Sequence, residues 1–258
     1  PNDHDKGIKT LLGKSGNFDG DDVLDILLEN RETAQFITRK MYRFLVNDTL
    51  VPEERISWLA NRFYESGYQI MRLLDDIVRS DWFYAPENTG NRIKSPVEYW
   101  VGIRRVLPLE LEDPEVQLKL QRVLDQVLFY PPNVAGWPGG KAWIDSSSLM
   151  LRMRIPQLIV DRGDLDVQTK DDDDQQMGVK SMNQARMLAA DIDWQPVLKQ
   201  FSAVRSSDLI PSLAQYLWQT DARPPAAVLE KYTDHSSQER LIKTAMIRLM
   251  ATPEYQLC

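Results

Sequence analysis

Apolar side chains recur every three or four residues along almost the whole chain, and this spacing limits its fold more than any other feature. Residues 32–46 show the pattern, with apolar Phe36, Ile37, Met41 and Phe44 on one helical face. Strict alternation of apolar and polar residues, which is typical of a half-buried strand, is nearly absent. The sequence therefore predicts an all-α fold, an irregular multi-helical bundle with long Gly/Pro-rich loops and little or no sheet.

Start and stop signals for helices divide the chain into segments. The first twenty residues are rich in Gly, Asp and Asn and are predicted to be loop. Two capping boxes, Ser95 to Glu98 and Ser236 to Glu239, each predict the start of a helix. The predicted helices cover residues 21–28, 32–46, 52–65, 70–78, 99–107, 114–128, 146–160, 194–201, 207–219, 225–232 and 241–250.

One long segment differs in composition from the rest. It contains the run Asp171 to Asp174, two glycines and few apolar residues. A block of like charge is typical of a mobile, solvated connection. We therefore expect a main helical body over residues 1–160, an acidic flexible loop over 161–183, and C-terminal helices over 184–258 packed on the main body.

Composition excludes several classes of site. Cys258 is the one cysteine, which excludes a disulfide framework, and His4 and His235 are too few for a His-rich zinc site. The net charge of −7 disfavours a general affinity for nucleic acid. No apolar run reaches the roughly 18 residues of a membrane span. We expect no cofactor, no nucleic-acid partner and no membrane span.

An acidic segment near the start of the chain is a candidate metal site. Asn17, Asp19 and Asp21 alternate as in a calcium-binding loop, and such oxygen ligands suit hard cations. The twelfth position of that loop, however, is Leu28, where the calcium motif requires Glu. The favoured interpretation is a turn with a helix N-cap, and Asp19 and Asp21 remain the alternative metal ligands.

Few residues qualify as catalytic candidates. His4 beside Asp5 is a possible general base oriented by a carboxylate, although adjacent residues rarely face each other and a structural anchor is favoured. Glu98 is a further candidate for acid–base chemistry. Lys94, four residues before Glu98, is a candidate binding residue or one half of an ion pair across the first helical turn.

The most distinctive stretch is a Pro- and Gly-rich loop with two tryptophans. Its candidate binding residues are Asn133, Trp137, Gly139, Gly140 and Trp143. The glycines permit positive φ and close backbone approach, and the indoles can stack on a sugar or a partner protein. The alternative, favoured because Trp is usually buried, is a rigid loop whose tryptophans fill the core.

Several of these segments together resemble the bacterial family called domain of unknown function 1800, over essentially the whole chain. The matching segments are His4-Asp5, Lys9 to Gly13, Gly16 to Asp25, Thr33 to Phe36, Ser66 to Tyr68, Lys94 to Glu98, Pro132 to Val134, Gly136 to Gly140, Trp143-Ile144 and Pro253 to Tyr255. No single segment would suffice, but their combination and order are specific.

The resemblance implies a compartment and a partner but no activity. Members of this family are generally longer at the N-terminus and often look exported, so this chain resembles their C-terminal part. Pro1 is not a natural start, and we expect a targeting segment outside this chain and a periplasmic or extracellular location. Members are frequently encoded beside a second uncharacterised family, domain of unknown function 1501, which becomes the candidate partner.

Two functions follow as hypotheses. The first is an exported binding or assembly module that acts with a partner protein, in the handling of a surface polymer. The second is a hydrolase acting on carbohydrate or another polymer, with an Asp/Glu pair as acid and base. The scarcity of catalytic residue types favours the first.

Overall fold

The structure is a computed structural model and describes residues 5–165, 186–222 and 226–258. Helices dominate these residues, and the strands are few and short, which confirms the predicted helical class. The helices are α1 (Gly20–Leu28), α2 (Arg31–Leu45), α3 (Glu53–Glu65), α4 (Ile70–Val78), α5 (Pro96–Val106), α6 (Val116–Val123), α7 (Ser146–Asp161), α8 (Gln195–Phe201), α9 (Ser206–Leu217), α10 (Ala226–Lys231) and α11 (Gln238–Met250). In the described ranges no helix combines the length and the apolar character that crossing a membrane requires.

Side-chain caps explain where helices begin. The Oγ of Ser95 accepts the N–H of Glu98 at 3.2 Å, and Pro96 occupies the first helical position of α5. The box predicted at Ser236 lies one residue too early, because the cap of α11 is Ser237. The N–H of Ser236 donates to Asp234 Oδ1 at 2.9 Å, which keeps Ser236 in the preceding turn.

The strands form three small antiparallel pairs in the described residues. The strands are β1 (Lys9–Leu11), β2 (Lys14–Gly16), β3 (Leu109–Leu111), β4 (Asp164–Leu165), β5 (Arg186–Met187) and β6 (Ala190–Ile192), paired as β1–β2, β3–β6 and β4–β5. The β1–β2 hairpin occupies part of the segment predicted to be loop. Strands of two or three residues are too short to show apolar alternation, so the sequence did not reveal them.

Helix α6 ends at Val123 rather than near the predicted Leu128. Asp125 adopts a left-handed conformation with φ +65°, and the N–H of Gln126 returns to the carbonyl of Gln121 at 2.8 Å. This bond and the left-handed residue before it form a Schellman-type C-terminus. An aspartate in place of the usual glycine concealed this stop signal in the sequence.

The chain forms two compact units, residues 1–88 and residues 89–258. In the first unit α2, α3 and α4 surround a core that includes Tyr42, Leu59 and Phe63. In the second unit α11 packs against α7 and α9, around a core that extends from Tyr99 to Tyr255. The division predicted at residue 160 stays a prediction, and most of the predicted acidic loop, residues 166–183, lies outside the described residues.

Candidate functional site

The segment between α6 and α7, residues 124–145, is named the α6–α7 loop. Its first half is fixed by two glutamines. Gln121 Oε1 accepts the N–H of Leu128, and Gln126 Oε1 accepts the N–H of Val97 at the start of α5, both at 2.9 Å. These bonds join the loop to two helices of the second unit, so its backbone has a defined conformation.

The second half of the loop is built from the residues that the sequence singled out. Asn133 Oδ1 accepts the N–H of Ala135 at 2.8 Å, so this side chain stabilises a turn. Gly139 and Gly140 have φ near +59° and +57°, the left-handed conformation that favours glycine. Trp143 is buried and its carbonyl accepts the Ser148 hydroxyl at 3.2 Å.

The apolar side chains that this loop turns to solvent differ from those expected. Trp137 is only partly exposed, whereas Phe129 is 97% exposed and Val134 is fully exposed. Leu128 next to Phe129 is also exposed. Sequence reasoning placed Leu128 in a helix and did not single out Phe129 or Val134 as exposed residues. An apolar pair ahead of Pro131 was the available signal.

The conformation of Phe129 is strained. Its φ of +64° lies in the left-handed region, which is a genuine outlier for a bulky side chain. Such strain costs roughly 1–2 kcal/mol and persists where surrounding contacts impose it. The hydrogen bonds of the neighbouring Leu128 and Tyr130 amides fix this backbone and hold the ring outward.

Lys94 lies in a buried polar cluster at the start of α5. Its N–H donates to the carbonyl of Gln256 at 2.8 Å, and its Nζ donates to the carbonyl of Tyr255 at 2.6 Å. The ammonium also lies 3.9 Å from the centroid of the Tyr255 ring. Burial is the main cause that lowers the pKa of Lys94 to about 8, against the opposing charges of Cys258 and Glu98.

Glu98 serves the cap and an ion pair. Its Oε2 accepts the N–H of Ser95 at 2.7 Å, and its Oε1 lies 2.6 Å from Nη2 of Arg92. The contact partner of Glu98 is therefore Arg92, not Lys94 as the sequence spacing indicated. Both carboxylate oxygens are occupied by structural bonds, which favours a stabilising role for Glu98.

Arg152 on α7 completes the cluster and is completely buried. Its Nη1 donates to the carbonyl of Lys94 at 2.8 Å, and its own carbonyl accepts the Tyr99 hydroxyl at 2.5 Å. Burial lowers the pKa of Arg152 and raises the pKa of Tyr99 well above its usual value. We call Lys94, Tyr99, Arg152 and Tyr255 the Lys94–Arg152 cluster.

The catalytic and metal candidates near the start of the chain belong to the first unit. His4 lies outside the described residues, and exposed Asp5 accepts the N–H of Gly7 at 2.8 Å. Asp19 Oδ1 accepts the N–H groups of Asp21 and of the following residue at 3.0 and 3.1 Å, and so caps α1. In the described ranges no three His, Cys, Asp or Glu residues are grouped to hold a metal ion.

A surface cleft of about 420 Å³ lies at the start of α11, and none of its lining residues is a sequence candidate. Two ion pairs line it, Arg240–Asp234 at 3.1 Å and Lys243–Glu239 at 2.6 Å. Hydrogen bonds from Ser236, followed by Arg240, lower the pKa of Asp234 to about 2. These charges neutralise one another, so the cleft presents no convergent reactive group.

The fold and these features define a mostly helical protein with a structured, outward-facing apolar loop and a buried basic cluster. A family model described as protein of unknown function (DUF1800) matches residues 1–257, and the chain belongs to that family. This confirms the resemblance noted from the sequence. Comparison with curated proteins and with solved structures gave no match.

Proposed function

We propose that this chain is a binding and assembly module that recognises a partner protein through the α6–α7 loop. The observation that carries the proposal is the near-complete exposure of Phe129 and Val134 on a hydrogen-bonded loop. Exposed large apolar side chains on an ordered loop are typical of an interaction surface.

The energetics favour recognition over packing for these two residues. Full burial of a Phe or Val side chain is worth roughly 1.5–3 kcal/mol, and folding leaves that gain unused here. The loop is already fixed by Gln121 and Gln126, so binding would order few additional groups. An aromatic residue held outward in this way has the properties of an interface hot spot.

The partner and the compartment complete the proposal. The family resemblance makes a protein of domain of unknown function 1501 the candidate partner and implies an exported location. Handling of a surface polymer is part of the proposal itself. Trp137, partly exposed on the same loop, is the residue suited to contact a sugar face. Fractionation of cells that produce the full-length protein tests export, and recovery in the cytoplasmic fraction contradicts it.

The hydrolase alternative has less support. A general acid needs a carboxyl group whose pKa is raised. Three carboxyl groups of the described residues have a shifted pKa, and in each the pKa is lowered by hydrogen bonds from neighbouring groups. They are Glu53, Asp234 and Glu239. Glu98 is held by Ser95 and Arg92. The hydrolase remains a hypothesis that no described geometry favours.

Binding of the chain to a protein of domain of unknown function 1501 tests the proposal. We expect the double variant Phe129→Ala/Val134→Ala to bind at least tenfold more weakly in biolayer interferometry. The matched control is Val228→Ala/Tyr232→Ala, which removes an exposed valine and an exposed aromatic elsewhere in the second unit and should bind normally.

Each result has a defined meaning. If both double variants lose the same binding affinity, the α6–α7 loop is not the recognition surface. Unchanged affinity in both variants would also contradict the proposal. Absence of binding by the unmodified chain would exclude this partner. Circular dichroism of the unmodified chain, the two double variants and the partner checks that all four proteins are folded.

A further inference from the structure

Arg152 is a completely buried guanidinium that is only partly hydrogen-bonded. Nη1 donates to the carbonyl of Lys94, but Nε and Nη2 have no acceptor in the described part of the chain. A buried polar group without a partner is costly, and a charged one more so. This edge of Arg152 is therefore left unsatisfied by the residues that the structure describes.

The charges around Arg152 also indicate that the described residues leave this cluster without a paired anion. Arg92 is balanced by Glu98, whereas no carboxylate of the described residues lies within ion-pair distance of Lys94 or Arg152. The Arg152 guanidinium thus donates to the backbone carbonyl of Lys94, and the negative charges that act on the Lys94 ammonium, those of Cys258 and Glu98, lie beyond ion-pair distance. Burial of uncompensated charge opposes folding unless a counter-ion is present.

The free edge of Arg152 has a specific shape. Nε and Nη2 lie on the same side of a guanidinium and donate two parallel hydrogen bonds. The same two atoms of Arg62 hold Asp76 in this structure, donating to Oδ2 and Oδ1 at 2.8 Å each. The edge that is paired with a carboxylate at Arg62 has no hydrogen-bond acceptor among the described residues at Arg152.

We propose that the Lys94–Arg152 cluster binds a small oxyanion, which presents two oxygen atoms to Nε and Nη2 of Arg152 near the ammonium of Lys94. Both nitrogen atoms are closed to solvent, so the ligand is enclosed and small, of carboxylate or phosphate type. It would link α5, α7 and residues 255–258. This site is separate from the α6–α7 loop and does not depend on the proposed function.

Thermal unfolding in the presence of formate or phosphate tests the site. Each salt is added at 1–10 mM at constant ionic strength to protein freed of oxyanions. We expect one of them to raise the Tm of the unmodified chain by about 3 °C or more. The response should vanish in Arg152→Met and persist in Arg62→Met, the control whose edge is already occupied.

If Arg152→Met does not fold, a second variant, Lys94→Met, and a crystal structure test the site instead. Lys94→Met should bind the stabilising anion at least tenfold more weakly. In crystals grown with that anion, its density should lie within hydrogen-bond distance of Nε and Nη2 of Arg152. Water bridging Arg152 to the unpaired Gln256 Oε1 would overturn the proposal, as would a Tm unchanged by both salts.

Discussion

Phe129 combines backbone strain with exposure, and this combination can be tested at one position. Glycine adopts a φ of +64° without strain, whereas alanine keeps the penalty. We expect the free energy of unfolding of Phe129→Gly to exceed that of Phe129→Ala by about 0.5–1 kcal/mol. Urea unfolding of the two variants measures the difference. Equal stability would show that the left-handed conformation is not maintained in solution.

The burial of Lys94 should be visible in the pH dependence of stability. Folding lowers its pKa from 10.5 to about 8, so between these values the unfolded chain binds the proton and the folded chain releases it. The free energy of unfolding therefore rises with pH across this window, by about 3 kcal/mol from this group. Lys94→Met should lack this rise in an oxyanion-free buffer. If the free energy of unfolding of the unmodified chain and that of Lys94→Met depend on pH in the same way, the lowered pKa of Lys94 is contradicted.

At the level of elements, the start of α5 depends on its capping box. Ser95→Ala removes the Oγ that accepts the N–H of Glu98, and we expect a loss of about 1 kcal/mol in the free energy of unfolding. Ser147→Ala is the control, because the Ser147 hydroxyl is exposed and donates, among the described residues, only to Asp145 Oδ1. Chemical denaturation compares the two. A loss no greater than that of the control would show that the box contributes little.

The sequence predicted the helices well because their signals are local. Ile70–Val78 was predicted with its observed limits, and Ser95-Pro96 correctly marked the start of α5. The end of α6 was missed because its stop signal is a left-handed conformation at Asp125, where an aspartate stands in place of the glycine that usually marks such an end. The Lys94–Arg152 contact joins residues 58 positions apart, which no local pattern indicates.

At the scale of the whole chain, each unit has its own core. The core residues of the first unit lie between Ala34 and Ile77, and those of the second between Tyr99 and Tyr255. We expect residues 89–258 expressed alone to unfold cooperatively on heating, as followed by circular dichroism. Residues 184–258 alone should not, because α11 would lose its contacts with α7. Cooperative unfolding of residues 184–258 alone, or its absence in residues 89–258, would contradict the single core of the second unit.

The outward ring of Phe129 also offers a substrate to proteases that cut after aromatic residues. Chymotrypsin should cleave the native protein near this position sooner than at the buried aromatic residues of the helices. A bound partner would shield the same bond. The rate of cleavage then measures, without a label, the fraction of the protein that is bound to its partner.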